Sequence, residues 1–194
     1  VDAAGMPFAL AKFVNTWLYQ FKFPTQDLSK SVEHACHALS IDDDRQSFAP
    51  TLWHEAAGGE PRIEQVWFAG VHSSVGGGYP KQGMSLVALD WMLRRAMDIA
   101  KLRVQRLDLE LFQGHSSVDD KLYDPRAGAG VFYRWRIREI GRICQAHGVK
   151  PKIHVSVLER IAHGTDDYSP GNLPGDAEVI FTPPPNSANT ELAE

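Results

Sequence analysis

Residues 65–79 read QVWFAGVHSSVGGGY, and this stretch decides the fold. It opens with an apolar run at 66–71 that is rich in β-branched and aromatic side chains, as expected of a strand buried on both faces. His72 ends the run, two serines and the glycines 76–78 follow, and a helical pattern begins soon afterwards. The order strand, loop, helix predicts an α/β fold. It places His72 at the carboxyl end of a strand, where open α/β sheets bind ligands.

Length and composition exclude several classes of protein. A chain of 194 residues suits one domain, and 43% hydrophobic with 23% charged residues is typical of a globular protein. A net charge of −4 gives no basic footprint, so no nucleic-acid partner is expected. No apolar run reaches the roughly 20 residues that span a bilayer, and no signal peptide is recognised at the start. Cys36 and Cys144 are too few and too far apart for a disulfide framework, and we expect free thiols.

The first part of the chain predicts an amphipathic helix over residues 7–23, which Pro24 ends. Phe13, Trp17 and Phe21 form one column of its apolar stripe. Such a column favours packing on the core. Contact with lipid is the alternative, because aromatic amphipathic helices suit bilayer interfaces.

A second helix is predicted over residues 28–39, carrying His34 and His37 three positions apart. Two histidines at that spacing could ligate a metal, but a third ligand is lacking, and an ordinary helix face is the preferred interpretation. The run Asp42–Asp44 could hold a cation, and a solvated turn beside Arg45 is preferred. A metal-dependent hydrolase using these groups is the weakest functional alternative.

The rest of the chain predicts a helix over residues 85–104. Residues 108–126 are polar and predict a long surface excursion. Residues 131–140 could form a short strand or a helical turn. Residues 153–161 predict a short helix, and the chain is expected to be loop-like from residue 164. The inner face of the long helix is expected to comprise Leu86, Leu89, Leu93 and Met97, widened by Val87, Trp91, Ala96 and Ala100.

A histidine at a strand end can act as a general base toward a serine, provided that a carboxylate fixes its tautomer. His72 is therefore the candidate catalytic residue, and a structural histidine is the alternative. No serine in the chain has the G-x-S-x-G flanks of a nucleophile elbow. Ser73 and Ser74 adjoin His72 and should point away from it. The serine and the acid are thus expected upstream of Val1.

The triple glycine does not fit a phosphate-binding motif, because the P-loop and dinucleotide patterns both fail at Lys81. Gly76, Gly77 and Gly78 are instead expected to let the backbone turn sharply, with positive φ where needed, and to leave space for an acyl group. An aspartate near His72 in space could be any of four, and the sequence does not choose. These candidates are Asp42, Asp43, Asp44 and Asp90.

Four motifs in the same order resemble a known family. VWFAGVHSSVGGGYP resembles the signature of an uncharacterised α/β-hydrolase domain family whose members include phospholipase effectors of type VI secretion. Its usual form has aspartate where this chain has Ser74. Three further stretches match: HALSIDDDRQSFAPTLW, YDPRAGAGVFYRWRIREI, and IHVSVLERI followed by YSPGNLP. The resemblance extends over most of residues 1–174.

The resemblance implies an α/β-hydrolase fold with a serine-aspartate-histidine triad, in which the histidine of the GVHS motif corresponds to His72. The family's G-F-S-R-G-type elbow and W-D-T motif do not occur here. Since the W-D-T motif normally precedes a segment like VDAAGMPF, the chain is expected to be the C-terminal portion of such a domain, with Asp2 not the triad acid. Because Ser74 stands where the family has an aspartate, the role of that aspartate is not expected to be carried over to this chain. The substitution does not affect the assignment of His72.

The interpretation is therefore a partial α/β-hydrolase-like domain at residues 1–174 with a loop-like, disordered tail at 175–194. Its expected function is to supply the catalytic histidine of a lipase, phospholipase or esterase in the bacterial cytoplasm or a secreted effector, with glycines 76–78 and the Phe13 column binding substrate. The alternative is a degenerate, non-catalytic module that binds a partner or a membrane. Expected partners are a lipid or other ester, a membrane surface and the upstream half of the protein; no cofactor or metal is expected.

Overall fold

A computed structural model describes residues 27–55, 62–126 and 133–183. Within these ranges the chain forms a parallel sheet of four strands in the order β1-β2-β3-β4. The strands are β1 (Ala35–Ser40), β2 (Ile63–Phe68), β3 (Lys152–His154) and β4 (Glu178–Ile180). β1 and β2 pair along their whole length, from Ala35 opposite Ile63 to Ser40 opposite Phe68. The predicted α/β class is confirmed.

Helices connect and cover the strands. The described helices are α1 (His72–Gly76), α2 (Gly83–Ile99), α3 (Arg106–His115), α4 (Ile140–Ala146) and α5 (Val155–His163), with 3-10 turns at Gln46–Phe48 and Thr165–Asp167. α1, α2, α3 and α4 all lie in the long connection between β2 and β3. Because β2 and β3 are parallel, their carboxyl ends lie at the same edge of the sheet, and α1 and α5 both begin at that edge.

β2 is buried on both faces of the sheet, as its apolar run predicts. Val66 and Phe68 face one core with Ala88 and Trp91 of α2. Trp67 lies between them in sequence and faces the opposite core, because side chains alternate along a strand. The opposite core also contains Leu39, Ile41, Leu52, Ile140, Cys144, Ile153 and Val157. This two-sided burial holds β2 rigidly and so fixes where the segment after it emerges.

The long helix is confirmed, although it ends at Ile99 and not at residue 104, and its predicted inner face is only partly correct. Met97 and Trp91 are buried as expected, whereas Leu89 is 37% exposed. The buried set is Gly83, Met84, Ser85, Ala88, Trp91, Arg94 and Met97. The face is rotated because Trp91 fills the space against Phe68, with ring centroids 5.6 Å apart. The largest side chain sets the rotation, and the leucines lie at the flanks.

One other element prediction is wrong and two are only partly correct. The helix predicted at residues 28–39 is replaced by β1, since pairing with β2 satisfies its backbone groups. The predicted excursion at 108–126 begins within α3. The short helix predicted at 153–161 is present as α5 but begins at Val155, because residues 152–154 pair in the sheet. In each case tertiary contacts override the local pattern.

Other predictions are only partly covered by the described residues. The helix predicted at 7–23, with Phe13, Trp17 and Phe21, lies outside them. At 133–139 the chain is extended, and Trp135 forms an antiparallel bridge with Arg45. β4 falls inside the segment predicted as a loop-like tail and pairs with β3. Among the described helices, none is long and apolar enough to cross a bilayer.

Candidate active site

The segment between β2 and α1 turns sharply at Gly70, which has a φ of +108°. A Cβ at Gly70 would lie 2.5 Å from the Cβ of Ser74, a distance that no other residue could tolerate. Glycine is therefore required twice, by the backbone conformation and by the close approach of α1. The turn brings Val71 into an extended conformation and makes His72 the first residue of α1.

His72 lies on the surface at the carboxyl edge of the sheet. Its ring meets the ring of Phe48 edge to face, with centroids 5.2 Å apart and an interplanar angle of 68°. Its backbone N–H donates a hydrogen bond of 3.0 Å to Oδ2 of Asp43. The backbone of His72 is thus held by the neighbouring strand end, while the imidazole is accessible to a substrate.

Asp43 is a buried carboxylate, only 1% exposed, in the segment that follows β1. It binds the Arg45 guanidinium through two hydrogen bonds, 2.9 Å from Nε to Oδ1 and 2.6 Å from Nη2 to Oδ2. Burial alone would raise the pKa of Asp43, but the Arg45 side chain and the His72 N–H outweigh burial and hold that pKa below its ordinary value. Asp43 is therefore ionised, and its two carboxylate oxygens accept hydrogen bonds from Arg45 and from the His72 backbone.

Asp42 supports the same turn from the preceding position. Its Oδ2 accepts hydrogen bonds from the Gly70 N–H at 2.6 Å and from the Tyr168 hydroxyl at 2.9 Å. Burial raises the pKa of the Asp42 carboxyl, and these two donors offset only part of that effect. The prediction of a solvated turn at Asp42–Asp44 is wrong: two of the three carboxylates bind the segment that leads to His72.

The four candidate acids are all engaged elsewhere. Asp44 pairs with Arg126 at 3.6 Å, and Asp90 accepts from Arg94 at 3.3 Å and from Gln113 at 3.0 Å. Within the described ranges, no carboxylate hydrogen-bonds the His72 ring. Asp42 and Asp43 act on the backbone around His72, and the acid that would fix its imidazole is not among these four in this conformation.

The glycine loop lies directly after α1. Gly77 has a φ of +84° and Gly78 a φ of +114°, which confirms the prediction that this loop needs left-handed backbone. Gly76 ends α1 and is exposed. Tyr79 then stacks on Tyr123, with ring centroids 3.9 Å apart, and this stack fixes the far end of the loop.

The two serines next to His72 differ in environment. Ser74 is 4% exposed, and its hydroxyl has no hydrogen-bond partner among the described residues. Ser73 is half-buried, beside Gly78. The Ser74 side chain packs against Gly70, in the turn that leads to His72. The side chain at position 74 therefore contacts this turn and not the open surface.

Sequence reasoning missed one residue that organises this edge. Arg138 is 5% exposed and donates to the carbonyl and hydroxyl oxygens of Ser40 and to the carbonyl of Phe48 at 2.9 Å. It thereby joins the end of β1 to the 3-10 turn that carries Phe48. The only sequence signal was the alternation of charged and large residues around it, which does not show which arginine is buried.

The predicted histidine pair does not form a ligand set. His37 lies on β1 and His34 precedes that strand, so the helical spacing assumed for them is wrong. Burial lowers the pKa of His37, whose ring contacts Trp53 with centroids 5.4 Å apart. Across the described part of the chain, no three histidine, cysteine, aspartate or glutamate residues are placed to hold a metal ion.

These features define an α/β protein in which a surface histidine stands at the carboxyl edge of a parallel sheet. Residues 1–95 match the family described as the catalytic domain of type VI secretion phospholipase effectors, Tle1-like. The matched region includes β1, β2, His72 and the glycine loop. This match supports the resemblance to phospholipase effectors seen in the motifs. No curated protein and no solved structure matches the chain.

Proposed function

We propose that this chain supplies the catalytic histidine of a serine-dependent lipid esterase, with a phospholipid as substrate. The observation that carries the proposal is the accessible imidazole of His72 on a rigidly supported turn, inside the region that matches a phospholipase catalytic domain. Two-sided burial of β2 and the carboxylates after β1 hold the backbone of that turn, which supports a fixed attachment point for the ring.

In the proposed reaction His72 accepts the proton of a serine hydroxyl as the serine attacks the ester carbonyl. The ester C–O bond then breaks, and His72 returns the proton to the leaving alkoxide. Water repeats the sequence and releases the fatty acid. The chain contains no serine with the G-x-S-x-G flanks, so the proposal assigns the nucleophile and the acid to protein sequence upstream of Val1.

The substrate-binding part of the proposal concerns two regions. Gly76, Gly77 and Gly78 carry no side chain into the space beside His72, which leaves room for a bulky acyl ester. The column of Phe13, Trp17 and Phe21 is proposed to contact acyl chains. The proposal as a whole corresponds to an α/β-hydrolase-like fold.

The proposal is tested by measuring fatty acid release from phospholipid vesicles by the protein that contains this chain together with its upstream segment. We expect His72→Asn to lower the rate by about 10³-fold or more, because the proton acceptor is lost. Ser73→Ala is the matched control next to it and should retain activity. Full activity of the His72→Asn protein would refute the assignment, and hydrolysis by the 194-residue chain alone would refute the upstream nucleophile.

A non-catalytic module that binds a membrane or a partner is the second candidate. It is favoured by one observation, that the four candidate aspartates all bind groups other than the His72 ring. If this alternative is correct, the unmodified protein and its His72→Asn variant would both be inactive toward every ester tested. Any His72-dependent hydrolysis would exclude it.

A further inference from the structure

A groove of about 500 Å³ is lined in part by Asp43, the residue after β1 whose carboxylate accepts from the His72 N–H. Its lining comes from the segment at 136–139 with α4, and from the chain at 43–50. Its apolar lining consists of Ala49, Pro50, Ile137, Ile143 and Ala146. No part of the proposed reaction uses this groove.

The rim of the groove is positively charged although the chain as a whole carries −4. Residues 133–142 contain four arginines and one glutamate. Arg136 and Arg142 have side chains 68% and 77% exposed, and both approach the same Glu139, at 3.6 Å and 2.6 Å. One carboxylate thus faces two guanidinium groups, which leaves a net positive charge at the mouth of the groove.

An exposed apolar side chain stands between these cations. Ile137, the residue after Arg136, is 67% exposed. Its exposure is not the result of a loose segment, because the backbone on both sides of it is anchored. The Arg136 N–H donates to the Asp44 carbonyl at 2.8 Å, and the buried Arg138 anchors the next position. An isoleucine held out into solvent between arginines is the arrangement expected where a protein contacts anionic head groups.

We propose that the rim formed by Arg136, Ile137 and Arg142 docks on an anionic phospholipid surface. The two guanidinium groups pair with head-group phosphates, and Ile137 enters the boundary between head groups and acyl chains. This docking proposal rests on the proposed function. If the substrate is a phospholipid, docking by the rim would bring the sheet edge that carries His72 toward it. The inference assigns membrane contact to Arg136, Ile137 and Arg142 and not to the Phe13 column.

The test is flotation of the full 194-residue chain with vesicles of phosphatidylcholine alone or with about 30% phosphatidylglycerol, at low and high salt. We expect binding to the anionic vesicles that weakens as salt rises. The double variant Arg136→Glu with Arg142→Glu should weaken binding at least about tenfold, and Ile137→Ser several-fold. Circular dichroism and a urea unfolding curve establish that each variant is folded.

The matched control is Lys101→Glu with Arg103→Glu, which makes the same change in charge at the opposite edge. These residues follow α2, whose end lies beside Cys36 near the start of β1. Equal weakening by the control pair would reduce the effect to net charge and overturn the proposal. Three other results would also overturn the proposal. The groove variants could bind as well as the unmodified chain, the unmodified chain could fail to bind, or binding could be lost only in the double variant Phe13→Ser with Trp17→Ser. His72→Asn should bind normally, so failure of docking and failure of catalysis give different results.

Discussion

Two histidines of this protein follow neighbouring parallel strands and each stands at the start of a helix, yet their environments are opposite. His72 follows β2, begins α1 and is exposed. His154 ends β3, caps α5 and is 3% exposed. The comparison shows that a place at the carboxyl edge of the sheet does not by itself make a histidine available for chemistry.

The difference lies in what surrounds each ring. His154 Nδ1 accepts from the hydroxyl of Ser156 at 2.8 Å and from its N–H at 3.3 Å, so Nε2–H donates to Thr182 at 2.9 Å. The ring also stacks on Phe68, with centroids 4.7 Å apart. Both ring nitrogens are used, and His154 is a structural cap. At His72 the backbone N–H donates to Asp43, and within the described residues the ring itself makes no hydrogen bond.

The largest effect is expected from removing the support beneath His72. Asp43→Ala leaves the mostly buried Arg45 without its carboxylate and the His72 N–H without its acceptor, and we expect a loss of about 3–5 kcal/mol in the free energy of unfolding. Urea denaturation measures the loss.

Asp44→Ala is the control for this prediction, because its pair with the exposed Arg126 should contribute less than about 1 kcal/mol. Asp43→Asn keeps an oxygen acceptor for the His72 N–H and should lose less than Asp43→Ala. A loss below about 1 kcal/mol for Asp43→Ala would show that the turn does not depend on this carboxylate.

The second prediction compares the two ring environments directly. His154→Ala removes the helix cap and the stack on Phe68 and opens a cavity in the core, so we expect a loss of about 3 kcal/mol in stability. Thermal or urea unfolding provides the measurement. His163→Ala, at the exposed end of the same helix, should cost less than about 1 kcal/mol. Equal small losses for both would mean that His154 is not a structural cap.

The third prediction uses pH. Burial lowers the pKa of His154 from 6.5 to about 4 in the folded protein. Between these values the unfolded chain binds more protons than the folded one, so stability falls as the solution is acidified. The loss from this residue between pH 7 and pH 5 should be about 2 kcal/mol. Urea unfolding at both pH values should show a smaller difference for His154→Asn, and an unchanged difference would contradict the assignment.

The smallest effect on stability is expected at His72 itself. His72→Ala removes an exposed ring and one edge-to-face contact with Phe48, so the free energy of unfolding should change by less than about 0.5 kcal/mol. The same urea experiments measure this change beside that of His154→Ala. A loss of 2 kcal/mol or more would place His72 in the same structural class as His154 and remove the contrast between them.

Much of the region around His72 could be predicted from the sequence. The apolar run before it has one strong interpretation, and the glycines after it require left-handed backbone at two positions. β1 could not be identified in the same way, because its sequence ACHALS is short and carries no clear period. It becomes a strand only because β2 lies beside it to accept and donate hydrogen bonds.

The supporting carboxylates show the same limit. Three consecutive aspartates are hydrophilic, and solvent exposure is the natural prediction from sequence. Asp43 is nevertheless buried, since Arg45 and the His72 N–H compensate for the loss of water. Arg45 lies only two residues from Asp43, but the His72 N–H belongs to a segment 29 residues further along the chain, and no local pattern could reveal that partner.

The sequence by itself determined the α/β class, the buried strand that leads to His72, the glycine loop at 76–78 and the long helix. These follow from a continuous apolar run, from apolar residues at helical spacing and from backbone sterics, which all act within one short segment. The tertiary structure alone decided that His72 is open while His154 is capped, that Asp42 and Asp43 hold the turn, and which face of the long helix is buried. Each of those outcomes depends on groups far apart in the chain, and only folding brings such groups within hydrogen-bonding or packing distance.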